Sequence, residues 1–150
     1  GLRPGTENVA GMVGLGRACA IAARDVAAEG LRLRSLAKRL FAALTSEIPG
    51  LALNGPPLDD EARLPNTLSV RFPHAKGSEI LAAAPEVAAT TGAACHEGQE
   101  SASKVIVAMG IPEHEAIGTD RLSLGRRTTE SDVDTAARAL ARAFREVSGG

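Results

Sequence analysis

Hydrophobic positions along the chain recur at two periods, and the switch between them divides the sequence into elements. From Val9 to Ala28, Met12, Leu15, Cys19, Ala22, Ala23 and Val26 repeat every three or four residues, the spacing of one face of an amphipathic helix. Gly30 is expected to interrupt it. A second helix is predicted from Leu31 to Ile48, with Leu33, Leu36, Ala37, Leu40, Phe41, Leu44 and Ile48 on the inner face and Arg32, Arg34, Lys38 and Arg39 outside, until Pro49-Gly50 stops it. Leu51 to Asn54 reads as a short strand running into the turn-rich segment Gly55 to Asp60. Leu68, Val70 and Phe72 alternate with Thr67, Ser69 and Arg71 between Pro65 and Pro73, the period of a half-buried strand.

The remainder continues the alternation of types. A helix is expected at Ser78 to Ala84, a brief strand at Val87 to Thr91, and then a small-residue, polar loop, Gly92 to Ser101. Val105 to Met109 and Glu113 to Ile117 read as short helices and Arg121 to Leu124 as a strand. Thr129 to Val147 is the closing helix, with a Thr129-x-x-Asp132 cap and Val133, Ala137, Leu140, Phe144 and Val147 on its inner face. The order predicts an α/β fold: a small two-layer domain whose short, mostly antiparallel sheet of three to four strands is covered by helices. Residues 1–48 are expected to form linker or interdomain helices and residues 49–150 the α/β domain proper.

Composition narrows the function classes. At 150 residues the chain is one domain's worth, with 17 basic and 18 acidic residues well mixed, which predicts no nucleic-acid or anionic-membrane partner. Aromatics are 2% of the sequence, too few to stack single-stranded bases. No apolar run is long enough for a membrane span, and Gly1-Leu2-Arg3-Pro4-Gly5 is not a signal peptide.

Few residues point to chemistry. Gly11, Gly14 and Gly16 lack the preceding strand that a dinucleotide-binding loop requires. The basic residues Arg32, Arg34, Lys38 and Arg39 read as a solvated face, and Asp59-Asp60 as a turn. His74, His96 and His114 are scattered without metal-ligand spacing, and Lys38, Lys76 and Lys104 have no Schiff-base context. Cys19 lies on an apolar stripe, where a thiol acts as a small hydrophobe. Cys95 differs, because it follows a strand within a Gly-flanked polar loop, where a thiol is accessible and has reach; a buried loop anchor or an incidental thiol is the competing reading. Arg121 faces away from Leu122 and Leu124, either to pair on the surface with Asp120 or Glu130, or to hold a carboxylate through two parallel hydrogen bonds.

Four segments in order, Arg3-Pro4-Gly5-Thr6-Glu7-Asn8, Leu64-Pro65-Asn66-Thr67-Leu68, Gly92-Ala93-Ala94-Cys95 and Arg121-Leu122-Ser123-Leu124-Gly125-Arg126, resemble the landmarks of the pyridoxal-phosphate-dependent cysteine desulfurases, NifS-like members of the class V aminotransferases. The first segment and Gly92-Ala93-Ala94-Cys95-His96 are also similar to selenocysteine lyases. The resemblance implies the C-terminal, small-domain portion of a fold-type I enzyme, with the starting Gly marking a cut inside a longer chain. It implies Cys95 as the nucleophile that takes sulfur from L-cysteine as a persulfide and leaves L-alanine, and Arg121 as the residue that binds the substrate carboxylate. It implies Thr6 as a contact to the cofactor phosphate across a homodimer. The Schiff-base Lys would lie outside these residues, so the 150 residues alone are expected to be inactive. L-cysteine or L-selenocysteine, a sulfur-acceptor or iron-sulfur scaffold protein and a cytoplasmic location complete the expectation. The alternatives are a selenocysteine lyase, an aminotransferase-like relative in which Cys95 is incidental, and a stand-alone dimerisation or sulfur-carrier module.

Overall fold

The computed structural model describes residues 5–92 and 101–149. Its first element, α1 (Val9–Glu47), is one unbroken 39-residue helix where the sequence predicts two. Asn8 caps it, the side-chain oxygen accepting from the Gly11 N–H at 2.9 Å. Gly30 does not interrupt the helix: a glycine costs about 1 kcal/mol in a helix interior but removes no hydrogen bond, and good helix formers flank it. The helix ends where Ile48 becomes extended ahead of Pro49, which disfavours helical backbone at the residue before it.

Three strands, β1 (Ala52–Leu53), β2 (Thr67–Arg71) and β3 (Thr119–Ser123), form an antiparallel sheet in the order β1-β2-β3. In β2 and β3, Leu68 is opposite Leu122 and Val70 opposite Asp120 on the inner face. Ser69 is opposite Arg121 and Arg71 opposite Thr119 on the outer face. The expected fourth strand, Val87 to Thr91, reduces to a single bridge between Thr90 and Arg121. The chain before it is spent in a turn, with the Val87 N–H donating to the Ala84 carbonyl, so only Thr90 comes alongside β3.

The helices α2 (Gly77–Ala83) and α5 (Glu130–Ser148), with the C-terminal half of α1, cover the inner face. Leu36, Leu40, Leu44, Leu68, Val70, Ile80, Leu122, Val133 and Leu140 make one buried core, and Phe72 and Phe144 stack with ring centroids 6.1 Å apart. The predicted Thr129–Asp132 capping box opens α5. On the other side, α3 (Lys104–Ala108) and α4 (Glu113–Ala116) gather a smaller cluster around Ala102, Ile106 and Ala116.

Two expectations for α1 change. Its N-terminal stripe is periodic but uncovered: Val9, Met12, Val13, Leu15 and Val26 are exposed, and so is Cys19, which therefore does not serve as a packed hydrophobe among the described residues. Its basic face is not merely solvated. Arg32 donates to the carbonyls of Thr128, Gly125 and Arg126, Arg34 to those of Leu58 and Asp60, Lys38 pairs with Asp59, and Arg39 grips Asp134 at 2.8 Å through two nitrogens. These contacts fasten the loops and α5 to α1. No helix among the described residues is long and apolar enough to cross a membrane.

The core contains one exception to its apolar rule. Asp120 is fully buried opposite Val70, and neither carboxyl oxygen has a hydrogen-bond partner. Burial alone pushes its carboxyl up to about 8. It lies against Gly77, where an added Cβ would stand 2.5 Å from its Oδ1 and 2.7 Å from the Thr119 carbonyl. Gly118 is as tightly held, with Cβ distances of 2.5 Å to the Phe72 carbonyl and 2.7 Å to that of Ala75.

The raised Asp120 pKa fixes the sign of a pH effect. Between the usual carboxylate range and about pH 8 the folded chain keeps a proton that the unfolded chain has lost, so this group's contribution declines as pH rises. Urea denaturation is expected to show stability falling from pH 5 to pH 8, and Asp120→Asn is expected to flatten that slope and be more stable at pH 8 by about 2–4 kcal/mol. Gly118→Ala is expected to lose about 1–3 kcal/mol at any pH in the same measurement, because both crowded neighbours are backbone oxygens.

Candidate functional site

The outer face of the sheet gathers the polar side chains that the register sends away from the core. Arg121 rises from the middle of β3, exposed, and among the described residues its guanidinium has no hydrogen bond or ion pair. The surface partners that sequence offers it are engaged elsewhere: Asp120 is on the opposite face, and Glu130 pairs with Arg39 at 3.0 Å. The backbone of Arg121 is held on both sides. Ser69 lies opposite it in β2, and on the free edge its N–H donates to the Thr90 carbonyl at 2.7 Å while its carbonyl accepts from the Thr90 N–H at 3.4 Å.

Arg121 borders a cavity of about 290 Å³ lined by polar groups below and α3 beside it: Asn54, Ser69 and Thr119 form the floor, and Val105, Ile106 and Met109 the wall. Asn54 is 3% exposed and joins the floor together, its amide nitrogen donating to Ser69 Oγ and Thr119 Oγ1, both at 3.1 Å. Its side-chain oxygen accepts from Arg71 Nη1 at 2.6 Å, and its backbone carbonyl accepts from Arg63. Sequence reasoning assigns no role to Asn54, which stands at the mouth of a turn. Its only signal is a polar residue ending a strand whose neighbours are apolar.

A partner-free guanidinium beside an apolar wall suits a small molecule with one carboxylate. A larger opening of about 380 Å³ lies on the other side of β3 among Leu122, Leu124, Val133 and Arg127, but its floor is the hydrophobic core, and among the described residues its acids Glu86 and Asp132 make no ion pair with Arg127. Among the described residues no group of three or more His, Cys, Asp or Glu is arranged to hold a metal ion. His74 and His114 border a third cavity together with Arg71 and Glu115, apart from Arg121.

Cys95 and His96 lie outside the described residues. Gly92, the last described residue before that segment, and Ser103, two residues past its other end at Ser101, both line the Arg121 cavity, and a Cβ on Gly92 would be 3.5 Å from Ser103 Oγ. Thr6 stands elsewhere, exposed beside Gly5 ahead of α1. Thr6 is not among the described residues that line the Arg121 cavity. Among the described residues no lysine lines the Arg121 cavity.

Known proteins match this arrangement along nearly its whole length. The profile of the aminotransferase class-V family matches residues 1–136. A cysteine desulfurase of Frankia sp. (strain EuIK1) is 45% identical over 149 residues, covering 98% of this chain, and a cysteine desulfurase IscS of Anaeromyxobacter sp. (strain K) is 37% identical over 147. Among solved structures, a NifS-like protein superimposes with a TM-score of 0.78 at 31% identity over 97% of the chain, and a NifS-like protein from Rickettsia africae with 0.73 at 26% over 99%. The chain spans 35% and 36% of the length of the two desulfurases and 36% and 37% of the two solved chains. A family match over residues 1–136 shows that the chain belongs to the class-V aminotransferase family, and the relatives it is similar to there are cysteine desulfurase and NifS-like proteins.

Proposed function

We propose that these residues serve as the substrate-binding and sulfur-accepting part of a pyridoxal-phosphate-dependent cysteine desulfurase, whose cofactor-binding part corresponds to the larger remainder of the relatives. In this reading residues 1–48 link the two parts and residues 49–150 form the small domain. The observation that carries it is the Thr90–Arg121 bridge: the strand stub that leads into the Cys95 segment is hydrogen-bonded to the residue best suited to hold a carboxylate. A bound amino acid gripped at Arg121 thus has its side chain within reach of the nucleophile, which is the proximity that such a transfer needs.

Arg121 holds the L-cysteine carboxylate, and the apolar wall of Val105, Ile106 and Met109 keeps water from that side. The Cys95 thiolate attacks the substrate sulfur, and a new S–S bond forms as the substrate Cβ–S bond breaks. The electron pair of the broken bond stays with carbon, which takes up a proton and leaves as L-alanine. One thiol and one cysteine become one persulfide and one alanine, with no external oxidant or reductant. Pyridoxal phosphate, when bound, supplies the electron sink that lets the Cβ–S bond open. Thr6, exposed and unencumbered, offers its hydroxyl to the cofactor phosphate of the other subunit of a homodimer. The outer sulfur of the persulfide then passes to an acceptor in the cytoplasm, such as an iron-sulfur scaffold protein.

In the full-length enzyme, Cys95→Ala is expected to lower alanine formation from L-cysteine by at least about a hundredfold, and mass spectrometry is expected to find one added sulfur atom on the Cys95 peptide of the unsubstituted enzyme. Arg121→Gln is expected to raise KM for L-cysteine by about ten- to a hundredfold through loss of the charge-assisted pair. Unchanged alanine from L-cysteine in Cys95→Ala would remove Cys95 from the reaction. Loss from L-cysteine with full activity on L-selenocysteine would favour a selenocysteine lyase, the reading to which Gly92-Ala93-Ala94-Cys95-His96 is similar.

A further inference from the structure

The outer face of the sheet carries two arginines, and only one of them faces the ligand cavity. Arg71 is opposite Thr119 in the β2–β3 register, and Arg121 is two residues further along β3 on the same face. Diagonal neighbours of this kind lie about 7–8 Å apart, within reach of long side chains, so nothing in the strand geometry prevents both guanidinium groups from converging on one ligand. They do not converge. Arg71 is half-buried and turned aside, with Nη1 on the Asn54 side-chain oxygen at 2.6 Å and Nε on Glu115 Oε2 at 3.1 Å, and it borders the neighbouring cavity of His74 and His114. Asn54 lines the Arg121 cavity and Arg71 does not.

We propose that Asn54 is the specificity-determining residue of the Arg121 cavity, holding Arg71 out of it so that the site offers one guanidinium and gives a dicarboxylate no second cation and hence no advantage over a monocarboxylate amino acid. The inference rests on the carboxylate role given to Arg121 above. Asn54 suits the task because its two ends do different work. The amide nitrogen is anchored on Ser69 and Thr119, the residues facing Arg121 and preceding it on that face, and this anchoring aims the oxygen away from the cavity at Arg71. An acid in its place would keep Arg71 but lose both donations to the floor, and an alanine would lose everything. Glu115 is the second hand on Arg71, and being exposed it is the weaker one. With Asn54 gone, a dicarboxylate finds a second cation one diagonal step from Arg121. A monocarboxylate gains little, since Arg121 already has two parallel donors for it.

The test uses the full 150-residue chain with arginine side-chain NMR, titrating propionate and succinate in turn. In the unsubstituted chain both acids are expected to shift the Arg121 Nε resonance with affinities within about a factor of two, the statistical advantage of two carboxylates, and to leave Arg71 unmoved. Asn54→Ala is expected to raise the succinate-to-propionate affinity ratio about tenfold, the equivalent of about 1.4 kcal/mol, and to bring the Arg71 resonance into the succinate response. Adding Arg71→Gln to that variant is expected to cancel the gain. If thermal melts show Asn54→Ala unfolded, Asn54→Thr, which keeps a buried hydroxyl but is too short to reach Arg71, is read for the same ratio. A merely loosened fold weakens both acids together and leaves the ratio alone. An unchanged ratio in a folded Asn54 variant, with Arg121 still responding, overturns this inference only. An Arg121 resonance that responds to neither acid in the unsubstituted chain overturns the carboxylate role and this inference with it.

Discussion

The antiparallel register between β2 and β3 is the constraint on which the rest of the structure depends. It sends Leu68, Val70 and Leu122 into the core and Ser69, Arg71, Thr119 and Arg121 to the opposite face. Because side chains alternate with a period of two, a slip of one residue would bury the arginines and expose the leucines, so the apolar core and the polar cavity are specified by a single decision. The core helices enforce that decision from below. The Thr90 bridge enforces it from the edge, since it pairs only at Arg121.

Asp120 and Arg121 show how differently one strand can treat adjacent charged residues. Arg121 stands in the open, where water solvates it. Asp120 is shut between β2 and α2 with no donor to either oxygen, and a protonated carboxyl is the form that such a site tolerates. The cost of that arrangement falls on the strand that also carries the cavity-lining Arg121. Gly77 packs directly against the Asp120 carboxyl, so that any side chain there would have to displace it.

The elements with strong periodicity were legible in the sequence. Alternation in Thr67 to Phe72, the seven-residue apolar face of Leu33 to Ile48 and the Thr129-Asp132 cap each correspond to an observed strand, packed helix half or capping box. Gly30 misled because a glycine weakens a helix without ending it, and Val87 to Thr91 misled because its composition suits a strand while its backbone is consumed by the turn after α2. Cys19 misled because periodicity reports a face and says nothing of what covers it. Within the site, the outward direction of Arg121 was legible from its alternation with Leu122 and Leu124. Asn54 and Arg71 were not, because their roles depend on pairing across strands that are 15 or more residues apart in sequence: Asn54 meets Ser69 at a separation of 15 and Thr119 at 65.

The length of α1 has a mechanical consequence. Only its C-terminal half is embedded, leaving about 40 Å between Val9 and the first buried turn, so the helix behaves as a lever whose fulcrum is the core. A tilt of about 5° at Leu36 would swing the Asn8 end through about 3.5 Å, more than a hydrogen bond's length, over that arm. The clamps nearest the fulcrum therefore set angular precision at the far end. Arg32 on the carbonyls of the turn after β3, and Asp25 gripped by Arg126 at 2.8 Å, tie the direction of the lever to the same strand that aims Arg121. The placement of Thr6 and the aim of Arg121 are thus two readings of one alignment.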